Sequence, residues 1–163
     1  VTTPTADTTV LLGWQSKLYY STGGIGTSPT WVEVPEVQDV KLGLDKKMTD
    51  VTIRGLAGTQ AEKGALKVTS IEFKVPYIRN NAHIAALVAA YFSNAALGFG
   101  VADGDIATSA TTNSYQAECE ISKIDWPQDH DKNQELTITA VPTLPSATAG
   151  VYNAPKWVPA GGA

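Results

Sequence analysis

Apolar and polar residues alternate in short runs along this chain, and a period of two is what a strand with one buried face requires. Val40, Leu42 and Leu44 alternate with Asp39, Lys41 and Gly43, and Val51 and Ile53 with Thr52 and Arg54. Ala117, Cys119 and Ile121 share one face of a later run, with Gln116, Glu118, Glu120 and Ser122 opposite. Lys17 to Ser21, Trp31 to Val34, Ala65 to Val75 and Gln134 to Val141 add further strand candidates. The apolar phase switches near Thr69-Ser70 and again before Ile124, which predicts a bulge or a strand passing between environments. Helical spacing occurs once: Ile84, Leu87, Val88, Tyr91 and Ala95 form a stripe that Asn80 or Asn81 can cap and Gly98 can end.

The pattern predicts a mainly β chain of about seven or eight strands, an antiparallel β-sandwich or barrel with one flanking α-helix at about 80–97. No internal repeat or βαβ rhythm competes with it. Residues 1–14 read as an N-terminal arm, 15–142 as the β domain with a loop at 45–64, and 143–163 as an extended C-terminal arm rich in Pro, Ala and Gly. Within that arm Trp157 has no local element to pack into, which makes it a candidate anchor on another subunit.

Charge narrows the function. Only 17% of residues are charged, against a usual share of about 25%, so the surface expects partners to cover it. A net charge of −4 argues against a protein that grips phosphates with clustered Lys and Arg. Acid concentrates between Asp103 and Glu135, where eight acids face only Lys123 and Lys132. Val1 to Trp14 has no basic region and only Val10-Leu11-Leu12 as an apolar run, so no signal peptide is predicted. Ala82 to Ala102 is long enough to span a bilayer, but much of its apolarity is Ala and it contains His83, Ser93 and Asn94. Ala drives insertion weakly, so no membrane span is expected.

No set of residues makes a catalytic constellation. His83 and His130 are the only histidines and Cys119 the only thiol, and the alternation places Cys119 toward a core. Asp129-His130-Asp131 and Asp103-Gly104-Asp105 read as turns, because a metal cage draws ligands from separate elements and a calcium loop needs further ligands downstream. No phosphate-binding glycine pattern follows a strand. The expectation is a protein with no catalytic, cofactor-binding or metal-binding residues.

The succession Lys17-Leu18-Tyr19-Tyr20, Trp31-Val32-Glu33-Val34, Val37 to Leu44 and Asp50-Val51-Thr52-Ile53-Arg54-Gly55 resembles the major tail tube proteins of long-tailed, siphophage-type bacteriophages. It covers roughly residues 15 to 75; beyond them only the order of elements agrees. The resemblance implies a fold shared with type VI secretion tubes and contractile tails. It also implies rings, usually hexamers, that stack into a tube through which DNA passes without specific binding. The implied partners are further copies of the chain and the tail tip or baseplate, tape measure and tail terminator proteins; no cofactor is implied. In this family the long loop between early strands reaches adjacent subunits. Here that loop maps to Asp45 through Gly64, with Asp45, Lys46, Lys47, Asp50, Arg54, Glu62 and Lys63 as candidate contacts. An acidic lumen would repel phosphates over the roughly 8 Å that physiological salt permits. Glu118 and Glu120 share a strand face, and alternation leaves open whether that face meets the lumen or the outer solvent. Two other readings stay in view: a tube of a contractile or type VI apparatus, and a monomeric β-sandwich that binds carbohydrate through Tyr19, Tyr20 and Trp31.

Overall fold

The computed structural model describes residues 13–26, 28–50, 62–65, 69–107, 111–144, 146–148 and 150–161. A short 3-10 turn at Gly13–Gln15 precedes β1 (Lys17–Ser21), β2 (Val32–Glu33), β3 (Gln38–Leu44), β4 (Lys47–Asp50), β5 (Glu62–Ala65) and β6 (Thr69–Pro76). Helix α1 (Ala82–Ser93) follows, then β7 (Leu97–Ala102), β8 (Ser114–Asp125), β9 (Glu135–Pro142), β10 (Ala147–Thr148), β11 (Val151–Tyr152) and β12 (Lys156–Val158).

Eight strands form one sheet in the order β2-β1-β7-β8-β9-β6-β3, with β12 joined to β8 beside this path. All of its pairings are antiparallel. β8 is shared between two half-sheets: Ser114 to Cys119 pairs with β7, whereas Cys119 to Asp125 pairs with β9. A register shift between Ile121 and Lys123 marks the bend, where the alternation changes phase before Ile124. The sheet curls over itself. Phe73 on β6 and Phe99 on β7 lie three strand spacings apart, about 14 Å in a flat sheet, yet their ring centroids are 6.0 Å apart. Between the halves lies a core that includes Leu18, Ile71, Phe73, Leu87, Phe99, Leu136 and Ile138, all fully buried.

Helix α1 lays Ile84, Leu87 and Ala90 on that core and packs against β8. Asn81 caps it, its side-chain oxygen accepting from His83 N at 2.9 Å and Ile84 N at 3.1 Å. The helix stops earlier than Gly98 would have it. Asn94, at φ 53° and ψ 35°, takes the left-handed conformation and donates its N–H back to the last turn, freeing Leu97 to start β7. Two glycines in Leu97-Gly98-Phe99-Gly100 conceal this strand from propensity. They are needed for space: a Cβ on Gly98 would lie 2.7 Å from Gly24 O, and one on Gly100 would lie 2.9 Å from Ile106 Cδ1.

Three further expectations change. Ala65 to Val75 reads as one strand, but Ala65 ends β5 and Thr69 to Val75 belong to β6, which lies in a different sheet; residues 66–68 lie outside the described residues. The run expected at Asp50 to Arg54 begins earlier, at Lys47, and residues 51–61, Arg54 among them, lie outside the described residues. The C-terminal segment expected as an extended arm folds back. β10 and β11 form a small hairpin, and β12 pairs with the first residues of β8, Trp157 opposite Tyr115.

Truncating Phe73 to Ala should remove about 3–5 kcal/mol of stability, because it empties the space between the half-sheets. Phe92→Ala, on the exposed side of α1, should change stability by no more than about 0.5 kcal/mol. Urea unfolding of both variants checks the pair.

Candidate assembly surfaces and a buried carboxylate

Among the described residues both ends of the main sheet offer unpaired backbone. Among the described residues β3 pairs only with β6, so one long side of a seven-residue strand is open. At the other end β2 contributes only two residues beyond β1. Open edges of this kind are templates for pairing with another chain. The four-residue strands β4 and β5 form a separate hairpin that leaves the sheet where Leu44 pairs with Thr69. Asp45 and Lys46 are exposed at its base, Lys47 and Asp50 lie on β4, and Glu62 and Lys63 lie on β5. Asp50 is opposite Glu62 in the register and Thr49 opposite Lys63.

Large apolar side chains remain at the surface. Phe92, Leu144, Tyr152 and Trp157 are all at least 60% exposed. Trp157, expected to have no local element to pack into, lies on β12 paired with β8, and its side chain is exposed. Tyr19 and Tyr20, in contrast, are buried and Trp31 is half-buried. These residues offer no open aromatic platform for a sugar. Tyr19 instead receives the Ile106 N–H, and Tyr20 OH lies 3.4 Å from His83 Nδ1.

The acidic pair Glu118 and Glu120 is split. Glu120 is half-buried at the surface, but Glu118 is 3% exposed and does not face open solvent. The alternation was right that this face of β8 lies opposite Cys119 and Ile121, both buried in the core. What the alternation does not show is a second cover: the turn after β1 and the segment after β9 close over Glu118. Its carboxylate accepts from Ile25 N at 3.1 Å, from Ser146 Oγ at 2.6 Å and from Ser146 N. Asn153 Nδ2 in turn donates to Ser146 Oγ at 2.9 Å, and Thr143 N donates to Glu118 O at 3.1 Å. Burial pushes the Glu118 carboxyl up, but the hydrogen bonds from Ser146, Ile25 and Asn153 outweigh it and hold the group below its ordinary 4.5. Gly24, at φ 77°, lets the turn approach; a Cβ there would collide with Glu118 Oε1. Gly23-Gly24 two residues past a strand was the visible sign of a close approach, and Ser146 carried no sign at all.

Cys119 is sealed in the core, where burial and then the Glu118 charge push its thiol up to about 12. A thiol so held is a poor nucleophile at neutral pH. His130 is fully exposed beside Asp131. Among the described residues no three His, Cys, Asp or Glu side chains converge on a metal position, and no helix is long and apolar enough to cross a membrane.

No family model and no curated protein matches the sequence. Solved structures do. A chain in the virion of a native gene transfer agent particle superposes with a TM-score of 0.62 at 13% identity, covering 89% of this chain and all of that one. A chain from the tail of an empty gene transfer agent particle of C6 symmetry gives 0.62 at 15% identity, over 86% of this chain and 100% of that one. The SPP1 tail tube gives 0.61 at 13% identity, over 81% and 75%. This chain has their fold. A chain of the six-fold symmetrised anti-feeding prophage baseplate is also similar, with a TM-score of 0.51 at 6% identity over 93% and 97%.

Because the Glu118 carboxyl is held low, its contribution to stability is complete above about pH 4.5 and is lost as pH falls through the lowered value. Glu118→Gln keeps the volume but gives up charge-assisted bonds, and should cost about 1.5–3 kcal/mol at neutral pH. The variant should also lose less stability than the parent on acidification. Urea midpoints measured from pH 7 to pH 3 test both parts.

Proposed function

We propose that this chain is a structural subunit of a tail tube, assembling into rings that stack into a conduit for DNA. The observation that carries this reading is the agreement of its fold, over 89% and 86% of the chain, with a chain of an assembled virion and a chain of a tail of C6 symmetry. Open strand edges, sparse charge and exposed apolar side chains support it, since each is a cost to a monomer that pairing between copies removes. Six subunits per ring follow the symmetry of that tail. The hairpin from Lys47 to Ala65 and the exposed Trp157 are the segments through which a subunit would meet its neighbours. A tail tip or baseplate protein, a tape measure and a terminator would be the further partners. Of the two acids first considered for the lumen wall, Glu120 is the one the fold leaves available.

The likeness to the prophage baseplate chain favours a second reading within the same class, a tube of a contractile injection machine. Copurification with a sheath protein would distinguish it.

Purified protein raised in concentration should pass from 17.2 kDa to a ring near six times that mass, about 103 kDa, and then to tubes seen in negative stain. A mass fixed at 17.2 kDa at every concentration, with no tubes beside a tail initiator complex, would overturn the reading. Glu120→Lys should give assembled tails that release DNA more slowly at low salt, with the defect shrinking as salt rises. Unchanged release at low salt would remove Glu120 from the lumen wall.

A further inference from the structure

The last stretch of the chain is held to the rest by polar contacts. Leu136, Ile138 and Ala140 on β9 are buried, but among the described residues none from 143 onward is. No hydrophobic side chain of that stretch belongs to the core or packs on it. At its root Thr143 N donates to Glu118 O, and Ser146 N and Oγ donate to the Glu118 carboxylate. In its middle β10 and β11 pair with each other, and Asn153 N donates to Ser146 O at 2.8 Å. At its end β12 pairs with β8 over three residues, and Ala160 N donates to Asn113 Oδ1 at 3.0 Å.

The row of β8 that this stretch meets is polar too. Thr112, Ser114, Gln116 and Glu118 take alternate positions and are all buried. Ser114 and Gln116 lie opposite Val158 and Lys156 in the ladder, and Glu118 receives Ser146. On the neighbouring strand β7, Gly98 lies opposite Glu118 and Gly100 opposite Gln116, so no large apolar side chain stands beside them. Uncovering an apolar row would be opposed by the hydrophobic effect. Uncovering this one hands its groups to water, which replaces the partners they lose. The core side chains Tyr115, Ala117 and Cys119 occupy the other face of β8 and keep their own cover. Segments with few buried apolar contacts open at the low end of the free-energy range for local unfolding.

We propose that residues 143–161 are a strap that opens from β8 as a unit while the rest of the fold stays closed, with Glu118 as its latch. The carboxylate takes two donors from the single residue Ser146, so one contact fixes the root of the strap. Once it is released, the three-residue β12 ladder and the Ala160 bond are left to hold the far end. Opening bares the Ser114–Gln116 edge of β8, because β9 begins to pair with that strand only at Cys119. A bared edge is a place where another strand can add. Closed, the strap therefore masks an adhesive edge in the free subunit, and the latch sets how often that edge is offered.

Amide hydrogen exchange of the full chain, at a concentration where light scattering gives one subunit of 17.2 kDa, tests this. Amides of 150–160 should exchange about tenfold or more faster than those of the paired core residues Phe73 and Ile138. Strap rates should change little with low urea, whereas core rates should rise steeply, since global unfolding exposes far more surface. Glu118→Gln should speed strap exchange about tenfold or more. Ser146→Ala, at an exposed position on the strap itself, should act in the same direction with Glu118 left in place. Ser114→Cys joined by a disulfide to Val158→Cys, its partner in the register, should slow strap exchange until a reductant is added. Exchange of 150–160 with the rate and urea dependence of the core would make the strap part of one cooperative unit and overturn the proposal. So would exchange at the rate of an unstructured peptide in the parent chain, or strap rates unmoved by both Glu118→Gln and Ser146→Ala.

Discussion

Twelve residues at about 3.3 Å each make β8 close to 40 Å long, and that length lets one strand serve two half-sheets. Every layer of the fold meets on it. Ala117, Cys119 and Ile121 enter the core from one face, and the helix packs against the strand. On the other face Glu118 draws in the turn after β1 and the segment after β9. A buried carboxylate with its oxygens satisfied by backbone and hydroxyl donors is directional in a way that apolar burial is not. It therefore fixes where two irregular segments sit, which no period in their own sequences could do. The segment after β9 leads into β10 to β12, so the path of the C-terminal residues also depends on it.

This division between regular and irregular structure explains what was legible in the sequence. Strands β3, β6, β8 and β9 announced themselves through alternation, and the phase change before Ile124 marked the bend where β8 passes from β7 to β9. The cap at Asn81 was legible for the same reason: a local side chain satisfies a local backbone group. β7 was not, because Gly98 and Gly100 are set by what lies across from them, the Gly24 carbonyl and Ile106. Glu118 was placed on the correct face and given the wrong surroundings. Alternation reports which residues share a face; a cover that arrives from 93 residues away and another from 28 residues away leave no trace in it.

The surface shows a similar economy. Among the described residues the exposed large apolar side chains are spread over several elements: Leu44 and Met48 at the β4–β5 hairpin, Ile78 after β6, Phe92 on the helix, Trp126 after β8, and Leu144, Tyr152 and Trp157 in the C-terminal segment. Single exposed hydrophobes are ordinary, and only large contiguous patches drive indiscriminate association. In the proposed assembly, spreading the apolar surface limits indiscriminate association of free copies. It also makes each contact weak by itself.

Weak contacts in parallel have an order built into them. A contact through one short hairpin or one exposed tryptophan covers far less than the roughly 1,200–2,000 Å² that a stable pair of proteins buries. Two free subunits would therefore not remain stacked. In a ring the same contact is repeated once per subunit, and after the first has formed the others meet at an effective concentration set by the ring and not by the solution. In the proposed assembly edge pairing between strands comes first, because it gathers the hairpins into one plane. The open edges of β2 and β3 and the β4–β5 hairpin are thus not interchangeable adhesive surfaces in that assembly. The edges decide that a ring exists, and only a ring makes the hairpin contacts strong enough to extend it.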